Sequence, residues 1–171
     1  MHQMSQNAFV MINSPHIQPP FHPLNLPVSN LRIQQTARGI KIFDPLRKKW
    51  LILTPEEWVR QNFISFLINH KGYKAGLMAN EIAITLNGTT KRCDTVIYNT
   101  TLQPLAIIEY KEPKVPITQK VFEQIARYNI VMNVKYLIIS NGLKHYCCEV
   151  DSLNHSYRFL SDIPEYQLIS H

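Results

Sequence analysis

Four consecutive apolar residues, Leu105 to Ile108, run directly into Glu109-Tyr110-Lys111. An unbroken apolar run marks a strand covered on both faces, because a strand with one wet face alternates polar and apolar residues. The predicted strand spans Pro104 to Lys111. Glu109 and Lys111 are two apart and so project from the same face at its end. Just upstream, Ala79 to Leu86 and Lys91 to Tyr98 flank Asn87-Gly88 and read as a hairpin. If its second strand neighbours the apolar one, Asp94 lies beside Glu109.

Pro113 and Pro116 then end the strand, and Thr118 can cap a helix from Gln119 to about Val131. Gln124 and Tyr128 fall one turn apart on it and share a side. These residue types suit phosphodiester chemistry. Mg²⁺ prefers oxygen ligands and keeps several waters, so Asp94, Glu109 and the Tyr110 carbonyl make a sufficient protein share. Such a cation activates water and offsets charge on a phosphorane-like transition state. Lys111 would orient that water and stabilise the developing negative charge. Against this stands a plainer reading. Glu109 and Lys111 can be an ordinary charged strand end partnered by Asp94, with Gln124 a surface amide and Tyr128 a core edge.

The remaining sequence is compatible with either reading. At 171 residues with 45% apolar content, one domain with a real core is expected. The formal charge of +6 suits a polyanionic partner without requiring one. Cys93, Cys147 and Cys148 form neither a disulfide framework nor a zinc spacing, and a reducing cytoplasm is expected. No apolar run reaches the ~18–20 residues that a membrane span needs, and no signal peptide is visible.

Toward the N-terminus, residues 1–30 carry Pro15, Pro19, Pro20, Pro23 and Pro27 and no acidic residue. An extended Pro-rich arm is expected over residues 1–39, with the folded domain at 40–171. Ile40 to Phe43 and Lys49 to Leu53 read as short strands around an Asp44-Pro45 turn. Thr54-Pro55-Glu56-Glu57 is a strong helix start, and the helix should run to about Asn69. Two roles are open for its acids. Glu57 can complete a capping box while Glu56 pairs with Arg60; or one of the two points toward Asp94 and adds a third carboxylate. Further strands are expected at Tyr136 to Ser140 and Lys144 to Val150, with an edge element at Tyr157 to Leu160.

Taken together, Asp94, fourteen intervening residues and Glu109-Tyr110-Lys111 resemble the D-x(n)-[DE]-x-K pattern of the PD-(D/E)xK nuclease superfamily, without the preceding proline. Gln124-Ile-Ala-Arg-Tyr128 is similar to the QxxxY motif of its RecB-like members. Three further segments resemble the N-terminal domain family of type I restriction enzyme R subunits (HSDR_N-like). They are Phe43-Asp-Pro-Leu-Arg-Lys-Lys-Trp50, Leu53-Thr-Pro-Glu-Glu-Trp-Val-Arg-Gln61 and Ile139-Ser-Asn-Gly142. The resemblance covers roughly residues 40 to 150.

The resemblance implies an α/β fold: a three-layer α/β/α restriction-endonuclease-like core around a central mixed β-sheet. It implies Mg²⁺-dependent DNA endonuclease activity, with Mn²⁺ as a substitute. Asp94 and Glu109 would be metal ligands, Lys111 the catalytic lysine, and Gln124 and Tyr128 accessory. The family's helix acid would be Glu56 or Glu57. Partners implied are DNA, restriction-modification or other proteins, and a second copy of the chain. No GxxxxGK[ST] loop is present in these residues, so no ATP-driven motor is expected of them. The alternative is a DNA-binding or partner-binding module of the same fold with little or no catalysis.

Overall fold

The apolar run becomes one of the two central strands of a six-stranded sheet. In the computed structural model, described for residues 10–11, 21 and 23–171, the strands are β1 (Val10–Met11), β2 (Arg32–Thr36), β3 (Gly39–Asp44), β4 (Lys49–Ile52), β5 (Met78–Leu86), β6 (Thr89–Tyr98), β7 (Pro104–Tyr110), β8 (Tyr136–Ser140), β9 (His145–Asp151) and β10 (Ser156–Phe159). The helices are α1 (Pro55–His70), α2 (Gln119–Met132) and the short α3 (Tyr166–Ile169).

Strands β5 to β10 form one six-stranded sheet in the order β10-β9-β8-β7-β6-β5. Its β7–β8 pair is parallel and the other pairs are antiparallel, so the sheet is mixed. A parallel pair needs a crossover, and α2 supplies it. The two faces of β7 and β8 show what this does to packing. Ala106, Ile108, Tyr110 and Ile138 join Val59, Phe63, Ile64 and Leu67 of α1 in one core. Ile107, Leu137 and Ile139 join Val121 and Ile125 of α2 in another. Two helices sandwich the sheet, giving three layers.

The β5–β6 hairpin closes on Asn87-Gly88, and both turn residues have positive φ (50° and 72°), as a tight primed turn requires. Thr54 caps α1 by accepting the Glu57 backbone N–H at 3.1 Å. Thr118 precedes α2 as expected, but its side chain caps nothing; its carbonyl accepts from Val121 and Phe122 instead. At the other end, Asn133 in the left-handed region (φ 48°) stops α2.

The N-terminal expectation needs correcting over Arg32–Thr36. These residues are not part of an extended arm but strand β2, paired antiparallel with β3 in a second sheet of order β1-β2-β3-β4. The cause is Ile33, which is buried with Ile42, Leu53 and Trp58 and so anchors the strand to α1. Pro15, Pro19 and Pro20 lie outside the described residues. The three cysteines are free and buried, with the thiol pKa of each pushed up to about 12 by burial.

Candidate active site

The β6–β7 register places the two acids together. Thr95 pairs with Ile108 and Val96 with Ile107, and one more step sets Asp94 against Glu109. Asp94 is held from two sides. The Tyr110 backbone N–H donates to its Oδ2 at 2.8 Å, and the Arg60 Nη2 donates to its Oδ1 at 3.1 Å. Glu109 is only 4% exposed. Its Oε1 accepts from Lys111 Nζ at 2.8 Å and from Gln124 Nε2 at 2.7 Å. Gln124 Nε2 also lies 3.3 Å from the Tyr128 hydroxyl. The loop strand end and the crossover helix thus bring Glu109, Lys111, Gln124 and Tyr128 into one hydrogen-bonded group.

The two acids at the start of α1 separate by role. Glu57 is tied into a structural network: it accepts from Arg47 Nη2 at 3.0 and 3.2 Å, from Gln61 Nε2 at 2.8 Å and from Arg60 Nη1 at 3.3 Å. Its carboxylate therefore does not close a capping box. Glu56 is not part of that network. Burial and the Asp94 charge raise its pKa, while Lys111 and Arg60 pull it down, which puts it in electrostatic reach of the Asp94/Lys111 pair. Arg60 pairs with Glu57, Glu81 and Asp94, and no Glu56–Arg60 ion pair forms among the described residues.

Electrostatics in the site are dominated by burial. It raises the Asp94 pKa, against the pull of Arg60 and the Tyr110 N–H, with Glu81 adding a further push upward. Burial and the Asp94 charge raise Glu109 to about 7, against Lys111. Lys111 is itself raised, because the Glu109, Glu56 and Asp94 charges outweigh the effect of its burial. A stability consequence follows. Between its ordinary 4.5 and about 7, folded Glu109 keeps a proton that the unfolded chain has lost, so stability falls as pH rises across that window. Metal-free protein should lose on the order of 2 kcal/mol there, and Glu109→Gln should flatten the profile. Urea melts at pH 5 and 7.5 check this; equal slopes for the two proteins would refute it.

This donor set offers a divalent cation few protein ligands. Among the described residues no three His, Cys, Asp or Glu side chains converge to grip a metal. Asp94, Glu109 and the Tyr110 carbonyl remain as oxygen donors of the hard kind that Mg²⁺ takes, with water completing its shell. Glu56 stands close by.

Arg60 and Glu81 carry weight that sequence reasoning did not give them. Arg60 is 3% exposed, and its guanidinium lies over the Tyr110 ring at 5.6 Å. A signal for it was present: Arg60 falls on the inward stripe shared by Glu56, Phe63, Ile64 and Leu67 at helical spacing. Glu81 adopts a left-handed φ of 58° in the middle of β5, opposite Asp94, and no sequence pattern marks it. Behind them, Asp44 accepts from Arg47 and from Asn80 Nδ2 at 2.9 Å, and Thr95 Oγ1 donates to Asn80 Oδ1 at 2.6 Å. The site is backed by a continuous buried polar network.

Comparisons with known proteins agree with this architecture. No curated protein matches the chain. The solved fragment of a putative HsdR subunit of a type I restriction enzyme from Vibrio vulnificus YJ016 is similar in fold, with a TM-score of 0.52 at 20% identity. The match covers 68% of this chain and 24% of that one. The family described as type I restriction enzyme R protein N terminus (HSDR_N) matches residues 55–164, a span that contains Glu56, Glu57, Asp94, Glu109, Lys111, Gln124 and Tyr128. With more than half of its length matched, the chain belongs to the HSDR_N family, the N-terminal region of type I restriction enzyme R proteins.

Proposed function

We propose that this domain hydrolyses DNA phosphodiester bonds with Mg²⁺, as the nuclease region of a type I restriction-related protein. One observation carries the reading: Lys111 Nζ and Gln124 Nε2 converge on a single oxygen of Glu109, with Asp94 set opposite in register. An ordinary charged strand end has no need of a buried acid, an amide from a crossover helix and a second acid fixed by an arginine. Mg²⁺ held by Asp94, Glu109 and the Tyr110 carbonyl would activate water and offset phosphoryl charge. The chain's own groups do the rest. Gln124 holds the Glu109 carboxylate in place, leaving the other oxygen free to turn outward. Lys111 offers a proton-bearing cation beside the reacting phosphate, and Arg60 with the Tyr110 N–H keeps Asp94 from rotating. DNA and other restriction-modification subunits are the proposed partners.

The test is cleavage of supercoiled, linear and single-stranded DNA with Mg²⁺ or Mn²⁺, with chelator controls. Asp94→Ala should abolish metal-dependent cleavage. Cleavage that persists in Asp94→Ala, or none with wild type on any substrate, would sink the proposal. A second reading has one observation in its favour: both Asp94 oxygens are already occupied by Arg60 and the Tyr110 N–H. A DNA-binding module without catalysis would show salt-dependent DNA binding that survives Asp94→Ala, with no metal uptake.

A further inference from the structure

Beside the carboxylates lies a cleft of about 330 Å³ lined by Leu86, Lys91, Lys120, Gln124, Arg127 and Tyr128. We infer that this cleft is a track for the phosphodiester backbone of the nucleic-acid strand flanking the scissile phosphate. The inference rests on the nuclease reading for the scissile phosphate, but the track itself is argued from charge and placement. Lys120 and Arg127 stand seven residues apart on one exposed stripe of α2, with Gln124 and Tyr128 on its half-buried flank. The adjoining stripe, Val121 and Ile125, is buried in the core, and Tyr128 packs against it. Lys91 faces this stripe across the gap from the β5–β6 hairpin.

Lys91 reaches that side because the hairpin changes face. Met78 packs in the core under α1, whereas Ile84 packs in the core under α2, although residues six apart in a regular strand share a face. The left-handed backbone at Glu81, between them, turns the strand over. Lys91 pairs in register with Ile84 and is carried to the α2 side with it.

The lining contains three cations and no acid. Lys91, Lys120 and Arg127 are exposed, and none of them forms an ion pair among the described residues. Glu123, exposed on α2 one turn from both Lys120 and Arg127, lies outside this lining and forms no ion pair with either among the described residues. Gln124 belongs to both places: its amide is on Glu109 and its helix stripe is in the cleft. A strand lying along the track therefore leads into the carboxylates. Lys120 and Arg127 are about 10 Å apart along the helix axis, enough for on the order of two to three successive phosphates. Contacts of this kind neutralise phosphate and carry no base information.

The experiment is equilibrium binding of labelled 20-mer duplex and single-stranded DNA in EDTA, across a salt series, so that no catalysis is needed. For Lys120→Ala/Arg127→Ala, affinity should fall at least ten-fold at ~0.1 M salt. The slope of log K against log salt should shrink by about two, equally for unrelated sequences. Both side chains are exposed, so the thermal transition should not move, and a parallel melt confirms that the fold is intact. An unchanged slope and affinity overturns the track. So does a loss confined to one DNA sequence. Should wild type cleave nothing while the variant still loses binding, the track stands and the nuclease reading fails.

Discussion

Lys111→Ala is expected to lower metal-dependent DNA cleavage by about 10²–10³-fold, the usual loss when one preorganised donor to a developing charge is removed. The same change should leave Mn²⁺ affinity equal or higher. In the resting site the Lys111 ammonium sits 2.8 Å from Glu109 Oε1 and competes electrostatically with any cation drawn to that carboxylate. Removing it should also let Glu109 hold its proton to higher pH, since Lys111 is what opposes the effects of burial and Asp94 there. The two readouts therefore move in opposite directions: chemistry falls while the cation binds no worse. Single-turnover cleavage and calorimetric Mn²⁺ titration measure them separately. A merely structural Lys111 would lose both together along with the melting transition. Unchanged cleavage would remove Lys111 from the mechanism.

Legibility in the sequence followed the range of the interactions involved. The unbroken Leu105–Ile108 run and the Asn87-Gly88 turn are local signals, and each produced the element expected of it. The placement of Asp94 beside Glu109 needed only a hairpin followed by a neighbouring strand, and the Gln124/Tyr128 pair needed only helical spacing. Glu56 and Glu57 were not separable because both occupy the first turn of α1 and either fits a local rule. What divides them is Arg47, brought from the β3–β4 turn onto Glu57, a contact that no helix pattern contains. Arg60 suits the role of i+4 partner to Glu56, a sufficient local explanation, yet one of its partners is Asp94, 34 residues away. Glu81 carries a backbone reversal that its side-chain type disfavours, so propensity argues against the very feature that turns the hairpin. Strand β2 was hidden by proximity to the prolines, although Ile33 in an otherwise polar stretch was its one buried anchor.

Arg60 is the residue whose loss should cost the fold most. Its side chain is 4% exposed and faces Glu57 at 3.3 Å, Glu81 at 2.8 Å and Asp94 at 3.1 Å. Arg60→Met keeps much of the volume and removes the charge, leaving carboxylates in a space where the remaining cations are Arg47 on Glu57, Arg92 at 3.8 Å from Glu81, and the Lys111 charge acting on Asp94. Breaking a buried ion pair from one side typically costs about 3–5 kcal/mol, because the orphaned charge stays buried. At this chain length that corresponds to a fall in Tm on the order of 10 °C. Cleavage should fall as well, since Asp94 would keep only the Tyr110 N–H to orient it. Arg60→Lys should be nearly as damaging, because a single ammonium cannot replace a fork that meets separate carboxylates through Nη1 and Nη2. The diagnostic is the double variant. If uncompensated charge is the cause, Glu81→Gln should cost stability in the wild-type background and recover part of the loss in Arg60→Met. Additive losses would instead make Arg60 a packing residue, with its aliphatic stem and its contact over Tyr110 as the source of the effect.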